Sequence, residues 1–266
     1  MKKLLLFGEN YDLTILTERE YYRKKKAFIN PEDLTKPNPV FPELCVSTFS
    51  ENIINKFASL NNVEVIDYLY SANGSIPVYK MIYENTPIAF YLSRVGAPAC
   101  VAGIEEIIAL GAKKIVLFGS CGILNSSAEE KIIVPTSAIR DEGTSYHYLE
   151  AADEVCADDN SVNRLTNCLE KCGFTYVKGK TWTTDAIYRE TASLIEERKE
   201  AGCLCVEMEC AAALAVTQFR GIPFAQFLFG ADNLDNSKWE PRDLTEYGLS
   251  NAEKYMALAF ECAIHL

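Results

Sequence analysis

Stretches of continuous apolar residues alternate with helical segments along most of this chain, and this alternation restricts the fold more than any other feature. A fully apolar strand is predicted over residues 114–119, and a second buried strand over 222–230. Apolar strands of this kind are typical of parallel sheets, because crossover helices cover both of their faces. The pattern therefore predicts an α/β protein with a mostly parallel sheet between two layers of helices.

Turn residues and periodicity predict the remaining elements. Segments 77–83 and 87–93 are separated by Glu84-Asn85-Thr86, which indicates a hairpin. Residues 18–44 are predicted to form a polar helix and a proline-rich segment, and the basic run 23–26 favours a solvated helix face over a binding patch. Further strands are predicted over 44–48, 132–139, 176–183 and 203–207, and helices over 51–60, 98–110, 160–172, 210–219 and 249–264.

Composition and charge narrow the class of protein. The 266 residues, 48% of them hydrophobic, provide a core for a single domain over 1–266. A net charge of −11 gives no general attraction to nucleic acid or to an anionic membrane. The apolar stretch 222–231 is far below the roughly 18 residues of a spanning helix, and the apolar run at the start is too short for a signal peptide. We therefore expect a cytoplasmic protein with no membrane or nucleic-acid partner.

Ten cysteines and two histidines raise the question of disulfides or a metal site. Half of the cysteines lie inside apolar runs, where a free thiol behaves as a small hydrophobe. No paired C-x-x-C is present, so no structural zinc is expected. The cysteines in apolar runs are Cys100, Cys121, Cys205, Cys210 and Cys262.

Functional residues of a parallel sheet lie at the carboxyl ends of its strands, and one such end carries Glu207, Met208 and Glu209. A carboxylate accepts two hydrogen bonds in one plane, so it can bind the vicinal hydroxyls of a ribose. A thioether can pack under the sugar ring beside it. Alternatively, both glutamates are helix N-terminal charges that the helix dipole favours.

Two further strand ends carry candidate residues. Asp232 follows the apolar strand that contains Phe227 and Phe229, and such surroundings could raise its pKa enough for it to act as a general acid. Alternatively, an aspartate at this position forms an Asx-turn or caps a helix. The turn 119–122, Gly-Ser-Cys-Gly, has small residues that let backbone N–H groups approach a ligand closely.

In this order and spacing, the motifs resemble the nucleoside phosphorylase superfamily, which includes uridine phosphorylase, the hexameric purine nucleoside phosphorylases and methylthioadenosine nucleosidase. The resemblance runs from about Val46 to the C-terminus and is strongest in 96–122, 141–148 and 206–209. It implies a three-layer α/β/α fold around a mixed, partly barrel-like sheet. It also implies cleavage of the N-ribosidic bond of a nucleoside through an oxocarbenium-like transition state.

The resemblance assigns roles to residues of this chain. Glu209 would bind the ribose hydroxyls, Asp232 would protonate the purine N7, and Ile187 stands where the family usually keeps an aromatic residue beside the base. Thr191 and Ser193 replace the Gln-x-Arg pair with which uridine phosphorylases bind uracil, so a purine-like base is expected. The other substrate-binding residues implied by the resemblance are Glu207, Met208, Ser120, Cys121, Gly122 and Tyr188.

The chain departs from the family at the phosphate site. The arginines with which the family binds phosphate are absent at the corresponding positions, which are 48–53, Leu117 and 73–75. The remaining candidates for phosphate binding are Ser120 and Arg94, and Arg94 stands where the family has a glycine. Arg94 would contact phosphate or a 5′-substituent, or would be a rim arginine paired with a carboxylate. A dianion needs charge-assisted partners, each worth about 1.5–3 kcal/mol, so the loss favours a hydrolase as an alternative to a phosphorylase.

The resemblance also implies a reaction and an assembly. A purine-cleaving phosphorylase would release free base and ribose 1-phosphate, with inorganic phosphate as co-substrate and no cofactor. Uridine phosphorylase, a nucleosidase, and a binding protein without turnover are the alternatives, and the retention of both Glu209 and Asp232 disfavours the last. A homo-oligomer built from dimers, up to a hexamer, is expected.

Overall fold

The computed structural model describes residues 4–6, 9–11, 26–236, 238–242, 244 and 252–266. The strands are β1 Leu4–Leu6, β2 Glu9–Tyr11, β3 Leu44–Thr48, β4 Val63–Ser71, β5 Gly74–Tyr83, β6 Thr86–Leu92, β7 Lys114–Ile123, β8 Ile132–Asp141, β9 Glu154–Cys156, β10 Tyr176–Thr184, β11 Cys203–Glu207 and β12 Phe224–Asn233. The α-helices are α1 Pro31–Leu34, α2 Glu51–Ala58, α3 Ala97–Leu110, α4 Asp159–Lys171, α5 Ala192–Glu200, α6 Cys210–Arg220 and α7 Ala252–His265.

One mixed sheet of ten strands organises the described part of the chain. Its order is β11-β10-β8-β12-β7-β3-β6-β5-β4, with β9 on β8. An additional antiparallel pairing of β11 with β7 closes the first five strands in this order into a ring, and β3, β6, β5 and β4 extend from β7 as an open sheet. This confirms the expected mixed, partly barrel-like sheet.

Helices cover both faces of the sheet with separate hydrophobic cores. On one face α3 and α6 pack through residues such as Ile104, Ile107 and Leu214. On the other face α4 and α7 pack through residues such as Leu165 and Phe260. The two cores confirm the three-layer α/β/α arrangement. No helix among the described residues is long and apolar enough to cross a membrane.

Most elements match their predicted positions within a few residues. The predicted hairpin is β5–β6, and its turn residues Glu84 and Asn85 have φ of 46° and 64°, the left-handed region that a two-residue hairpin turn requires. Strand β4 and helix α5 were not predicted, because β4 is largely exposed and α5 buries no residue. The basic run 23–26 and the first residues of the last predicted helix lie mostly outside the described residues.

Candidate active site

A cavity of about 280 Å³ opens where the carboxyl ends of several ring strands meet beside the end of β3. Strands β7, β11 and β12 end there within a few residues of one another, because Gly122 pairs with both Val206 and Asp232. The wall residues are Thr48, Phe49, Ser50, Val95, Gly119, Ser120, Cys121, Gly122, Ile187, Glu190, Val206, Glu207, Met208, Glu209, Phe229, Ala231, Asp232, Leu234 and Leu244.

Glu207 caps the helix that follows it. Its Oε2 accepts hydrogen bonds from the backbone N–H groups of Glu209 and Cys210 at 2.7 and 2.6 Å, and its Oε1 accepts one from Thr183 Oγ1 at 2.6 Å. The first amides of α6 would otherwise lack partners in the interior. Burial raises the pKa of Glu207, whereas these three donors stabilise its ionised form. The alternative of a helix N-terminal charge therefore describes this glutamate well.

Glu209, two residues later, turns towards the cavity. It is 5% exposed, and its Oε1 accepts a hydrogen bond from the Gly96 N–H at 2.6 Å. Gly96 has φ of 92°, which a residue with a side chain rarely adopts, so the glycine allows its amide to reach the carboxylate. Burial and the nearby charge of Glu207 raise the pKa of Glu209. The two glutamates of one motif thus have different surroundings.

Asp232 lies in the last residues of β12, just after an irregularity in the register at Gly230. Its Oδ2 accepts a hydrogen bond from the Trp239 indole N–H at 2.7 Å. Burial raises the pKa of Asp232, and the Trp239 hydrogen bond opposes that shift. A Cβ on Gly122 would lie 2.5 Å from the Leu234 side chain and 3.2 Å from Asp232 Oδ1, so a larger residue here would displace the Leu234 side chain beside this carboxylate.

Glu190 is a cavity residue that sequence reasoning missed. It follows the 3-10 turn Ile187–Arg189, is half-buried, and within the described residues has no hydrogen bond or ion pair. Burial, and then the charge of Asp232, raise the pKa of Glu190 to about 7. Glu190 directly precedes Thr191 in an irregular segment, where neither a strand end nor a family motif marks it.

The structure brings most predicted site residues into the cavity wall, but it leaves two outside. Tyr188 is 95% exposed and does not line the cavity. Arg94 is also absent from the wall; its Nη2 is buried without a hydrogen-bond partner among the described residues, and its charge acts on Glu106. Both assigned roles stay predictions, and so do those of the residues in the wall.

The wall is rich in acceptors and poor in cations. Among its described residues, four carry carboxyl groups and none is Lys, Arg or His. The helix cap satisfies Glu207, so Glu190, Glu209 and Asp232 remain to receive O–H or N–H donors from a ligand. A neutral ligand with several such donors fits this wall better than an anion does.

Comparison with known proteins identifies the family. The family model of the phosphorylase superfamily matches residues 44–262, so the chain belongs to this superfamily. It is 24% identical over 155 residues to a guanosine phosphorylase of Halorubrum lacusprofundi, covering 58% of this chain and 64% of the relative. It is 27% identical over 154 residues to a uridine phosphorylase of Thermococcus kodakarensis, covering 53% and 56%. The matches thus span less than two thirds of these two relatives.

Solved structures share the fold. A uridine phosphorylase from Vibrio fischeri superimposes with a TM-score of 0.70 at 22% identity, covering 88% of this chain and 100% of that one. An AMP nucleosidase from Bacteroides thetaiotaomicron gives a TM-score of 0.67 at 20% identity, covering 84% and 88%. At these identities the likeness defines the fold and leaves the substrate open.

Proposed function

We propose that this chain cleaves the N-ribosidic bond of a nucleoside with a purine-like base and transfers the ribosyl group to phosphate, which yields free base and ribose 1-phosphate. The observation that carries the proposal is the presence of Glu209 and Asp232 in one cavity, at the ends of β11 and β12, the two strands that flank β7 in the ring. Membership of the phosphorylase superfamily and the relatives named guanosine and uridine phosphorylase support it.

In this proposal Glu209 binds the ribose. As the bond between C1′ and the base breaks, positive charge develops on the sugar ring, and the ribose hydroxyls become stronger donors. A buried carboxylate that receives these hydrogen bonds stabilises the transition state more than the ground state. The Gly96 amide fixes the carboxylate in place, and Met208 forms the adjoining wall.

Asp232 acts on the leaving base. In its protonated form, which burial favours relative to an exposed aspartate, the carboxyl donates its proton to N7 while the bonding electrons move from the C–N bond onto the base. A phosphate oxygen then bonds to C1′. The Trp239 N–H stabilises the aspartate that remains. Hydrogen phosphate loses its proton as it becomes ribose 1-phosphate, and this proton restores the Asp232 carboxyl for the next turnover.

Hydrolysis is a second candidate, because the described wall residues include no cation. Water would replace phosphate as the group that bonds to C1′, and free ribose would form. The same fold occurs in a protein described as an AMP nucleosidase. The resemblance to phosphorylases puts phosphorolysis first.

One assay separates these outcomes. The protein is incubated with guanosine, inosine, adenosine and uridine, with and without inorganic phosphate, and the sugar products are resolved. Ribose 1-phosphate that appears only with phosphate supports the proposal, free ribose in both arms supports hydrolysis, and no product in either arm contradicts both. Fastest cleavage of uridine would contradict the purine preference.

A single domain, a cytoplasmic location and a homo-oligomer built from dimers remain part of the proposal. Light scattering that reports a stable monomer of 29.7 kDa at micromolar concentration would contradict the oligomer.

A further inference from the structure

The cavity holds one carboxyl group that the proposed reaction does not use. Glu190 contributes to the wall beside Ile187 and Asp232, and no described residue donates to it or pairs with it. A half-buried carboxylate without partners is unfavourable, and the charge of Asp232 adds repulsion. Water solvates a glutamate on the protein surface, whereas a half-buried glutamate needs hydrogen-bond donors in its surroundings.

The protein itself offers Glu190 few donors. The cavity wall includes the apolar side chains Ile187, Phe229, Leu234 and Leu244, and its described residues include no Lys, Arg or His. The described serine and threonine hydroxyls of the wall make no hydrogen bond to Glu190. A ligand in the cavity is therefore the natural source of N–H groups for this carboxylate. The ribose hydroxyls are already assigned to Glu209, so the base has to supply them.

We propose that Glu190 is a specificity-determining residue that accepts two N–H groups of the base, and that the substrate of this chain is accordingly a 2-amino-6-oxopurine nucleoside. This inference rests on the proposed function. A carboxylate has two coplanar oxygens and accepts two parallel N–H donors. A 2-amino-6-oxopurine presents such a pair, a ring N–H beside an amino group, on its six-membered ring.

Other bases fit the carboxylate less well. A 6-oxopurine without the amino group offers a single N–H, and a 6-aminopurine places an acceptor nitrogen beside its amino group. Uracil has its N–H between two carbonyl oxygens, which a carboxylate repels. In the proposed arrangement Asp232 acts at the N7 edge and Glu190 at the six-membered ring, so the two carboxyl groups bind different parts of one base.

Binding of such a base also changes the charge of the site. Burial and the charge of Asp232 raise the pKa of Glu190 to about 7, and two N–H donors from a base would lower it, because they stabilise the ionised form. Near pH 7, binding should therefore release protons.

The test measures affinity and turnover separately. Isothermal titration in phosphate-free buffer gives the Kd of guanosine, inosine, adenosine and uridine for the wild type and for Glu190→Gln, and kcat/KM is measured in parallel. We expect the wild type to bind guanosine about 10–100-fold more tightly than inosine, as a hydrogen bond to a charged group predicts. Glutamine keeps one acceptor and turns an amide N–H₂ towards the second donor, so Glu190→Gln should reduce this ratio to about threefold or less.

Two further variants control the experiment. Glu200→Gln, the same change at an exposed position of α5, should leave the ratio unaltered. Glu190→Asp retains both oxygens on a shorter side chain and should give an intermediate ratio. Melting temperatures within about 4 °C of the wild type would exclude misfolding as the cause.

The outcomes separate the inference from the proposed function. A guanosine-to-inosine ratio that Glu190→Gln leaves unchanged, or a wild type that binds adenosine or uridine most tightly, overturns the inference. A wild type that cleaves no nucleoside but shows the expected Kd ratios contradicts the proposed function and supports the role of Glu190 in base recognition.

Discussion

Two parts of the cavity wall are built differently, and we call residues 207–209 its first end and residues 185–190 its second end. Met208 and Glu209 lie at a junction between β11 and α6, where Glu207 caps the helix and the Gly96 amide holds Glu209. At the other end, residues 185–189 form an exposed segment, and Glu190 has no partner in the described chain. The first end is fixed by hydrogen bonds within the protein, and the second leaves hydrogen-bonding capacity for a ligand.

This difference separates shared chemistry from specificity. The ribose is identical in every ribonucleoside, so the Glu209 carboxylate that binds it can be held on a rigid strand-to-helix junction. Bases differ in their donors and acceptors, and an exposed segment can change its residues without altering the core. We therefore expect substitutions at the first end to affect all nucleosides and substitutions at the second to discriminate among them.

Replacement of Glu209 should have the largest effect on activity. Glu209→Ala removes the carboxylate assigned to the ribose hydroxyls, so turnover of every nucleoside should be abolished while the melting temperature changes little. Steady-state kinetics across the nucleoside panel and a thermal melt provide the measurements. Activity within about tenfold of the wild type, equivalent to about 1.4 kcal/mol, would contradict the assignment.

Replacement of Asp232 should discriminate among leaving groups. Asp232→Asn cannot supply the proton to N7, so purine nucleosides should be cleaved about 10²–10⁴-fold more slowly, the range for one acid–base group. A nucleoside whose base is already a good leaving group needs no such proton and should be slowed much less. Equal slowing of both substrates would mean that Asp232 is not the acid.

The sequence predicts the first end of the cavity better than the second. Strand-end rules identify Glu207, Glu209 and Asp232, because an apolar run stopping at a polar residue is visible in the chain. They miss Glu190, because burial in an irregular segment depends on how neighbouring strands close into a ring. They also cannot tell Glu207 from Glu209, since only the placement of Thr183 and Gly96 separates the two carboxylates.

The two glutamates of the motif should therefore behave in opposite ways. Glu207→Gln weakens the charge-assisted hydrogen bonds to the amides of Glu209 and Cys210, which should cost about 1–3 kcal/mol of unfolding free energy. For a domain of this size the melting temperature should fall by about 2–12 °C. If Glu209→Ala lowers the melting temperature more than Glu207→Gln does, the division of roles within the motif is wrong.

The smallest expected effect is the pH dependence of stability that Glu190 contributes. Its pKa rises from 4.5 to about 7 on folding, so the folded protein binds more protons than the unfolded chain between these values. The free energy of unfolding must then decrease as pH rises through this window.

Comparison with Glu190→Gln isolates this contribution, since other titrating groups largely cancel. Between about pH 5 and 8 the wild type should lose about 1 kcal/mol relative to the variant, after allowance for solvent screening of a partly exposed group, or about 2–4 °C in melting temperature. The charge of Asp232 adds to the shift, so the same comparison in an Asp232→Asn background should show a smaller loss. A wild type and a variant that melt in parallel at all pH values would show that Glu190 is as solvated as a surface glutamate, and the contrast between the two ends of the cavity would then disappear.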